Sequence, residues 1–295
     1  MTDSSPHSDY ITLALPEMEE ARIHYLTYGN PTSTPVFCMH GLSCNGYDFD
    51  LLARHLAIDY YVIAPDMVGR GRSSHWQDKM AYSNDKQLSL CFALLDALRI
   101  TQPIHWIGAS MGGIMGMMAC FLFPARIRSL MLNDVGAVLA KEGLAEIVRS
   151  LSVKLPLRDN TRFEAVYRAQ NEANFGLQDN RLWQHFFQSR ITTDELGNLR
   201  LRGDHGVVKP LRALIEATPT IEDISLELLW QHVHCPTLIF RGEHSLLLRQ
   251  ETLEAMASRH DILVETHVIP DVGHMPNLMT KEQITFIHQW LLRQS

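Results

Sequence analysis

Apolar residues run through this chain in two alternating rhythms. Short, nearly continuous apolar runs at 36–39, 61–64 and 104–107 predict central strands covered on both faces, and further strands of the same sheet are expected at 127–132, 237–240 and 263–269. Between them, apolar positions at helical spacing predict helices over 49–56, 87–98 (Leu88, Cys91, Leu94, Leu95, Leu98), 114–119 and 284–292. Residues 10–14 and 22–28 alternate apolar with polar, as half-buried strands do, and residues 1–9 read as a disordered tail. Strand and helix alternate in the first half of the chain, which predicts a mostly parallel sheet flanked by helices. The alternation breaks over 137–215, where the pattern is largely helical and rich in aromatics and arginines, and then resumes. The expected organisation is an α/β core over 1–136 and 216–295, with a helical cap, or lid, over 137–215.

Composition narrows the class. The 295 residues are 46% hydrophobic and 20% charged, enough to bury a sizeable core. The formal charge of −7 and the lack of a long basic run argue against a nucleic-acid partner. No apolar stretch approaches the ~20 residues that span a bilayer, and the first nine residues lack the basic and apolar regions of a secretory signal. Five dispersed cysteines (Cys38, Cys44, Cys91, Cys120, Cys235) read as reduced thiols in a cytoplasmic protein. The fifteen histidines form no H-E-x-x-H pattern, so no metal and no cofactor are expected. The expected partner is a small-molecule substrate, and no oligomeric state is assigned.

The chemistry centres on Gly108-Ala109-Ser110-Met111-Gly112-Gly113, set between a predicted strand and a predicted helix. A G-x-S-x-G in that context is a nucleophile elbow, with the serine hydroxyl exposed on a strained bend at the carboxyl end of a sheet. Ser110 needs an adjacent base. His274, in Gly273-His274 directly after the last predicted strand, lies in a loop at the same end of the sheet. The turn at His40-Gly41-Leu42-Ser43 follows the third predicted strand, and the Leu42 and Met111 amides would form an oxyanion hole. His40 reads as a structural hydrogen bonder.

The ordered set His40-Gly41, Asp66-Met67-Val68-Gly69-Arg70-Gly71-Arg72-Ser73, Gly108 to Gly113 and Gly273-His274 resembles the α/β-hydrolase superfamily. The likeness is to the branch of small capped bacterial esterases and meta-cleavage C–C hydrolases, and it covers roughly residues 10–292. It implies that the 66–73 stretch is a tight structural turn. The family's usual acid position falls in Gly242-Glu243-His244-Ser245-Leu246, where both expected aspartate sites hold Ser245 and Leu246. A family variation places the acid after the preceding strand, where this chain has Asp134. Asp134 is therefore the expected acid, with Glu243, or a dyad without a carboxylate, as alternatives. Ser43, Asn45, Trp183, Phe187 and Arg190 are candidate substrate contacts, although Trp183, Phe186 and Phe187 at i, i+3, i+4 equally describe a packing face. Cys44 near the turn reads as structural; Arg162 and Arg168 read as solvated lid arginines. The elbow helix's Met111, Met115, Met117 and Met118 read as core, not as a cofactor box. The expected activity is cleavage of a small, mostly apolar carboxylic ester through an acyl-enzyme, as in a carboxylesterase. The alternatives are C–C hydrolysis of a meta-cleavage-type diketone, or a ligand-binding member without turnover.

Overall fold

The computed structural model describes residues 5–151, 155, 158–217, 220 and 222–294. Eight strands form one sheet: β1 (His7–Leu13), β2 (Ala21–Tyr28), β3 (Thr34–Met39), β4 (Tyr60–Asp66), β5 (Ile104–Ala109), β6 (Ile127–Asn133), β7 (Thr237–Gly242) and β8 (Val264–Ile269). Their order is β1-β2-β4-β3-β5-β6-β7-β8. β2 is antiparallel to both β1 and β4, and every other pairing is parallel. β5 is buried along its whole length and β3 over all but its first residue, as runs of Val, Ile, Phe and Trp covered on both faces require.

The helices are α1 (Asp50–Leu56), α2 (Asn84–Ala97), α3 (Met111–Leu122), α4 (Lys141–Leu151), α5 (Asn160–Phe175), α6 (Asn180–Arg190), α7 (Lys209–Glu216), α8 (Glu227–Gln231), α9 (Gln250–Ala257) and α10 (Lys281–Leu292). Leu52 and Leu56 of α1 pack with Ile284, Ile287 and Trp290 of α10 in one buried cluster against the sheet. Leu88 and Leu94 of α2, Met115 of α3 and Leu253 and Met256 of α9 build the other. Helices cover both faces of this mostly parallel sheet.

Part of the expected N-terminal tail is strand. β1 begins at His7, which pairs with Thr27, and Ser8 Oγ lies 2.9 Å from His24 Nε2. The residues are polar because they form an exposed sheet edge, and an edge strand of that composition reads as disorder. Residues 1–4 of that tail lie outside the described residues.

Between β6 and β7, α4 to α7 lie in the stretch the sequence predicts as helical. A short hairpin, Ile191–Thr193 against Leu199–Leu201, interrupts them. Phe163, Tyr167, Leu177, Trp183, Phe186 and Phe187 form a third apolar cluster within this stretch, joined by Met279.

Candidate active site

Ser110 sits between β5 and α3 with φ 50° and ψ −113°, a conformation rarely taken by residues other than glycine. The turn holds because the Ser110 amide donates to the Asn133 carbonyl at 3.0 Å and the Gly113 amide donates to the Ser110 carbonyl at 2.8 Å. Gly112 is required by space: a Cβ there would lie 2.0 Å from the Met39 carbonyl oxygen. The bend points Ser110 into a cavity and starts α3 immediately behind it.

His274 follows β8 on a loop packed against the end of β7. A Cβ on Gly242 would lie 2.0 Å from the Gly273 carbonyl oxygen, so a bare glycine lets that loop close in. His274 Nε2 lies 2.9 Å from Ser110 Oγ, and Nδ1 lies 2.7 Å from Asp134 Oδ2. A carboxylate only accepts, so Nδ1–H donates to Asp134 and Nε2 is left to accept from the serine hydroxyl. Asp134 directly follows β6 with φ 57° and is fully buried. Its Oδ1 accepts from the Gly242 amide at 2.8 Å, and its Oδ2 also accepts from the Ser245 hydroxyl at 2.6 Å. Three donors thus fix the orientation of this carboxylate. Glu243 points elsewhere: it is exposed, and its Oε2 accepts from the Asp271 amide at 3.0 Å. Ser245, at the family's usual acid position, instead donates to Asp134, just beyond the end of the neighbouring strand. A short polar residue at that position was the only sequence signal for this role.

Leu42 and Met111 both line the cavity beside Ser110. A buried guanidinium ties their two loops together: Arg70 Nε donates to the Leu42 carbonyl at 3.0 Å, and its Nη2 lies 3.5 Å from Met111 Sδ. His40, fully buried at the start of the loop, lies 2.7 Å through Nδ1 from the Gly41 carbonyl and accepts from the Met67 amide at 3.0 Å through Nε2. That pair of bonds requires a neutral ring with its proton on Nδ1. Burial, with Arg70 nearby, pushes His40 down from 6.5 to about 4. Burial pushes His105, on β5, down to about 4 as well.

Both histidines are more easily protonated unfolded than folded. The stability they contribute is therefore complete above pH 6.5 and is lost as pH falls toward 4. A histidine held this far down favours the folded state by roughly 3 kcal/mol at most. The melting temperature should fall steeply between pH 6.5 and 4 in a pH series of thermal melts. In that series, His105→Gln should flatten part of the slope.

The cavity at Ser110 holds about 320 Å³. Ile114, Leu139, Leu144, Ile147, Leu211, Phe175 and Met275 give it mainly apolar walls, and Asn171 and Asn174 are polar exceptions. Residues from α4, α5 and α7 form the side facing the serine. Of the candidate contacts, Ser43 and Arg190 reach this wall, whereas Asn45 lines an adjoining cavity. Trp183 and Phe187 are not among its wall residues. They are buried in the third apolar cluster, where Trp183 Nε1 donates to Glu164 at 2.9 Å. Arg190 is spoken for within the protein: it donates to Asp48 at 2.6 Å and to the Ser43 carbonyl at 3.2 Å. Its guanidinium also lies 4.0 Å over the Phe186 ring. With Asn45 Nδ2 donating to the Ser189 carbonyl at 3.1 Å, it clasps the end of α6 to the loop after β3. Glu243, His244 and Asp271 have possible ligand atoms within 4.8 Å of one another, but all three are exposed, and such acidic groups are common without an ion.

Comparison with known proteins gives this geometry a family. Residues 34–279 match the family described as alpha/beta hydrolase fold. The chain is 34% identical over 280 residues to a 3-hydroxybutyrate-oligomer hydrolase of Cupriavidus necator, covering 91% of this chain and 92% of that one. It is 26% identical over 254 residues to Lipase 1 of Psychrobacter immobilis, covering 85% of this chain and 74% of that one. The crystal structure of an alpha/beta hydrolase from Novosphingobium aromaticivorans superposes with a TM-score of 0.86 at 30% identity, covering 99% of each chain. The chain belongs to the α/β-hydrolase family and is a hydrolase. Among the described residues, no helix is long and apolar enough to cross a membrane.

Proposed function

We propose that this chain is a serine esterase that cleaves small, mostly aliphatic carboxylic esters through an acyl-enzyme. The observation that carries the reading is the unbroken hydrogen-bonded chain from Asp134 through His274 to Ser110 at the edge of an apolar cavity. Ser110 Oγ attacks the ester carbonyl while His274 Nε2 takes its proton. Asp134 holds the ring in the tautomer this requires and stabilises the imidazolium. The Leu42 and Met111 amides stabilise the oxyanion, a term worth ~3 kcal/mol or more per donor. The tetrahedral intermediate expels the alcohol, which leaves with the proton from His274. Water then attacks the acyl-serine by the same route, releasing the acid and restoring the serine hydroxyl.

The segment 137–215 acts as a cap that walls the site on the side facing Ser110. The relatives named as a 3-hydroxybutyrate-oligomer hydrolase and a lipase support an ester over a diketone. The test is a panel of p-nitrophenyl esters of two to twelve carbons beside a dienol-type C–C substrate. Cleavage of the short and medium esters, with the dienol untouched, is expected. Turnover of the dienol with the esters inert would overturn the reading.

A further inference from the structure

Three buried side chains hold three successive carbonyls of the loop after β3. His40 Nδ1–H donates to the Gly41 carbonyl at 2.7 Å, Arg70 Nε to the Leu42 carbonyl at 3.0 Å and Arg190 Nη1 to the Ser43 carbonyl at 3.2 Å. They come from separate parts of the chain: the loop itself, the turn after β4 and the end of α6. The carbonyl and amide of a trans peptide point in opposite directions. The Gly41 carbonyl also accepts from the Cys44 amide at 3.2 Å, and fixing it fixes the Leu42 amide of the same peptide.

Arg70 differs from the other two. Arg190 is paired with Asp48, and His40 is neutral. Arg70 is 2% exposed, and no carboxylate among the described residues pairs with it. Its donors go to the Leu42 and Val68 carbonyls and to the Met111 thioether. Asp204, on the same cavity wall, is taken by Lys79 and by the Tyr82 hydroxyl at 2.7 Å. Burial pushes the Arg70 guanidinium down to about 10, which leaves it charged near neutral pH. Its backbone is pinned as well: the amide donates to the Met67 carbonyl at 2.9 Å, and an antiparallel bridge joins it to Gly203. Burying a cation without a counter-charge is costly, and a neutral side chain of similar length would fill the space without that cost. The charge is distinguished by its place, in contact with both residues whose amides form the proposed oxyanion hole.

We infer that Arg70 is the electrostatic positioning residue of that hole. It holds the Leu42 loop against the elbow, and its uncompensated charge stands behind the two amides, where negative charge develops in the transition state. It acts through Leu42 and Met111 rather than by touching substrate. The inference rests on the esterase reading and deepens it. A fixed charge aimed at a developing oxyanion stabilises the transition state without binding the neutral ester more tightly.

The experiment compares Arg70→Gln and Arg70→Lys in the full-length protein on a short p-nitrophenyl ester. Both variants keep a donor for one carbonyl, and only lysine keeps the charge. Arg70→Met is a second neutral variant, used where glutamine does not fold. Arg70→Gln should lose roughly 10²-fold in kcat, the low end of the loss on deleting a direct oxyanion donor, with KM within about 2-fold. Arg70→Lys should recover about 10-fold of that loss. A second readout isolates the oxyanion. A pentyl trifluoromethyl ketone takes the Ser110 oxygen onto its carbonyl carbon, the serine proton passes to His274, and the carbonyl oxygen becomes an oxyanion. The matching trifluoromethyl alcohol cannot form this adduct. Affinity for the ketone should fall in Arg70→Gln by the same factor as kcat/KM, with affinity for the alcohol within about 2-fold of wild type. Equal losses in the glutamine and lysine variants, or a glutamine variant within about 2-fold of wild type, overturn the inference and leave the esterase reading standing. A loss shared equally by ketone and alcohol also overturns it. If the wild type neither cleaves the ester nor binds the ketone, the esterase reading falls, and this inference with it.

Discussion

Ser110→Ala should lower kcat on a short p-nitrophenyl ester by roughly 10⁵- to 10⁶-fold, with its melting temperature close to that of the wild type. The effect is large because the proposed reaction routes the acyl group through one oxygen, and the variant offers His274 no hydroxyl to deprotonate. Folding is spared because alanine keeps the Cβ and the backbone bonds to Asn133 and Gly113 that define the bend. The strain at φ 50° is the same for both residues. Steady-state rates measured at matched concentrations of purified protein check this. A variant that keeps more than about a hundredth of the wild-type rate would mean that another nucleophile does the work.

Asp134→Asn should cost about 10⁴-fold in kcat with little change in KM. The asparagine fills the same fully buried space beside the Gly242 amide and the Ser245 hydroxyl, but it cannot accept every bond that Asp134 now accepts. With an NH₂ facing Nδ1, the imidazole turns to the tautomer whose Nε2 carries the proton, and Ser110 then has no acceptor. Glu243→Gln should stay within about 2-fold, since that carboxylate serves the Asp271 amide on an exposed loop. Stopped turnover in Glu243→Gln with a near-silent Asp134→Asn would assign the acid the other way round.

The core was legible because its residues obey local rules. Val36, Ile63, Ile107 and Leu130 lie in mainly apolar runs, and the structure buries each of them in the sheet. Ser110 was legible because a tight bend between strand and helix needs glycines at fixed offsets, and the Cβ clash at Gly112 is what that spacing encodes. Other features were hidden because their partners are remote in sequence. Ser245 reaches Asp134 across 111 positions and Arg190 reaches Asp48 across 142, distances over which no periodicity carries information. The hairpin at 191–201 was missed because its three-residue strands are too short to show alternation amid helical sequence. Polar residues at 7–9 concealed an edge strand, where solvent exposure and disorder share one composition. Trp183 and Phe187 show the limit of a helical face read alone: the spacing marks a buried side, and only the neighbours decide whether that side meets a ligand or another helix.

The most direct test of the central claim is covalent capture. Purified protein is incubated with a fluorophosphonate, its intact mass is recorded, and the adduct is located by peptide sequencing. One adduct per chain on Ser110 is expected, absent in Ser110→Ala and formed far more slowly in His274→Gln. An unmodified Ser110 in folded protein, or an adduct on any other residue, would contradict the account.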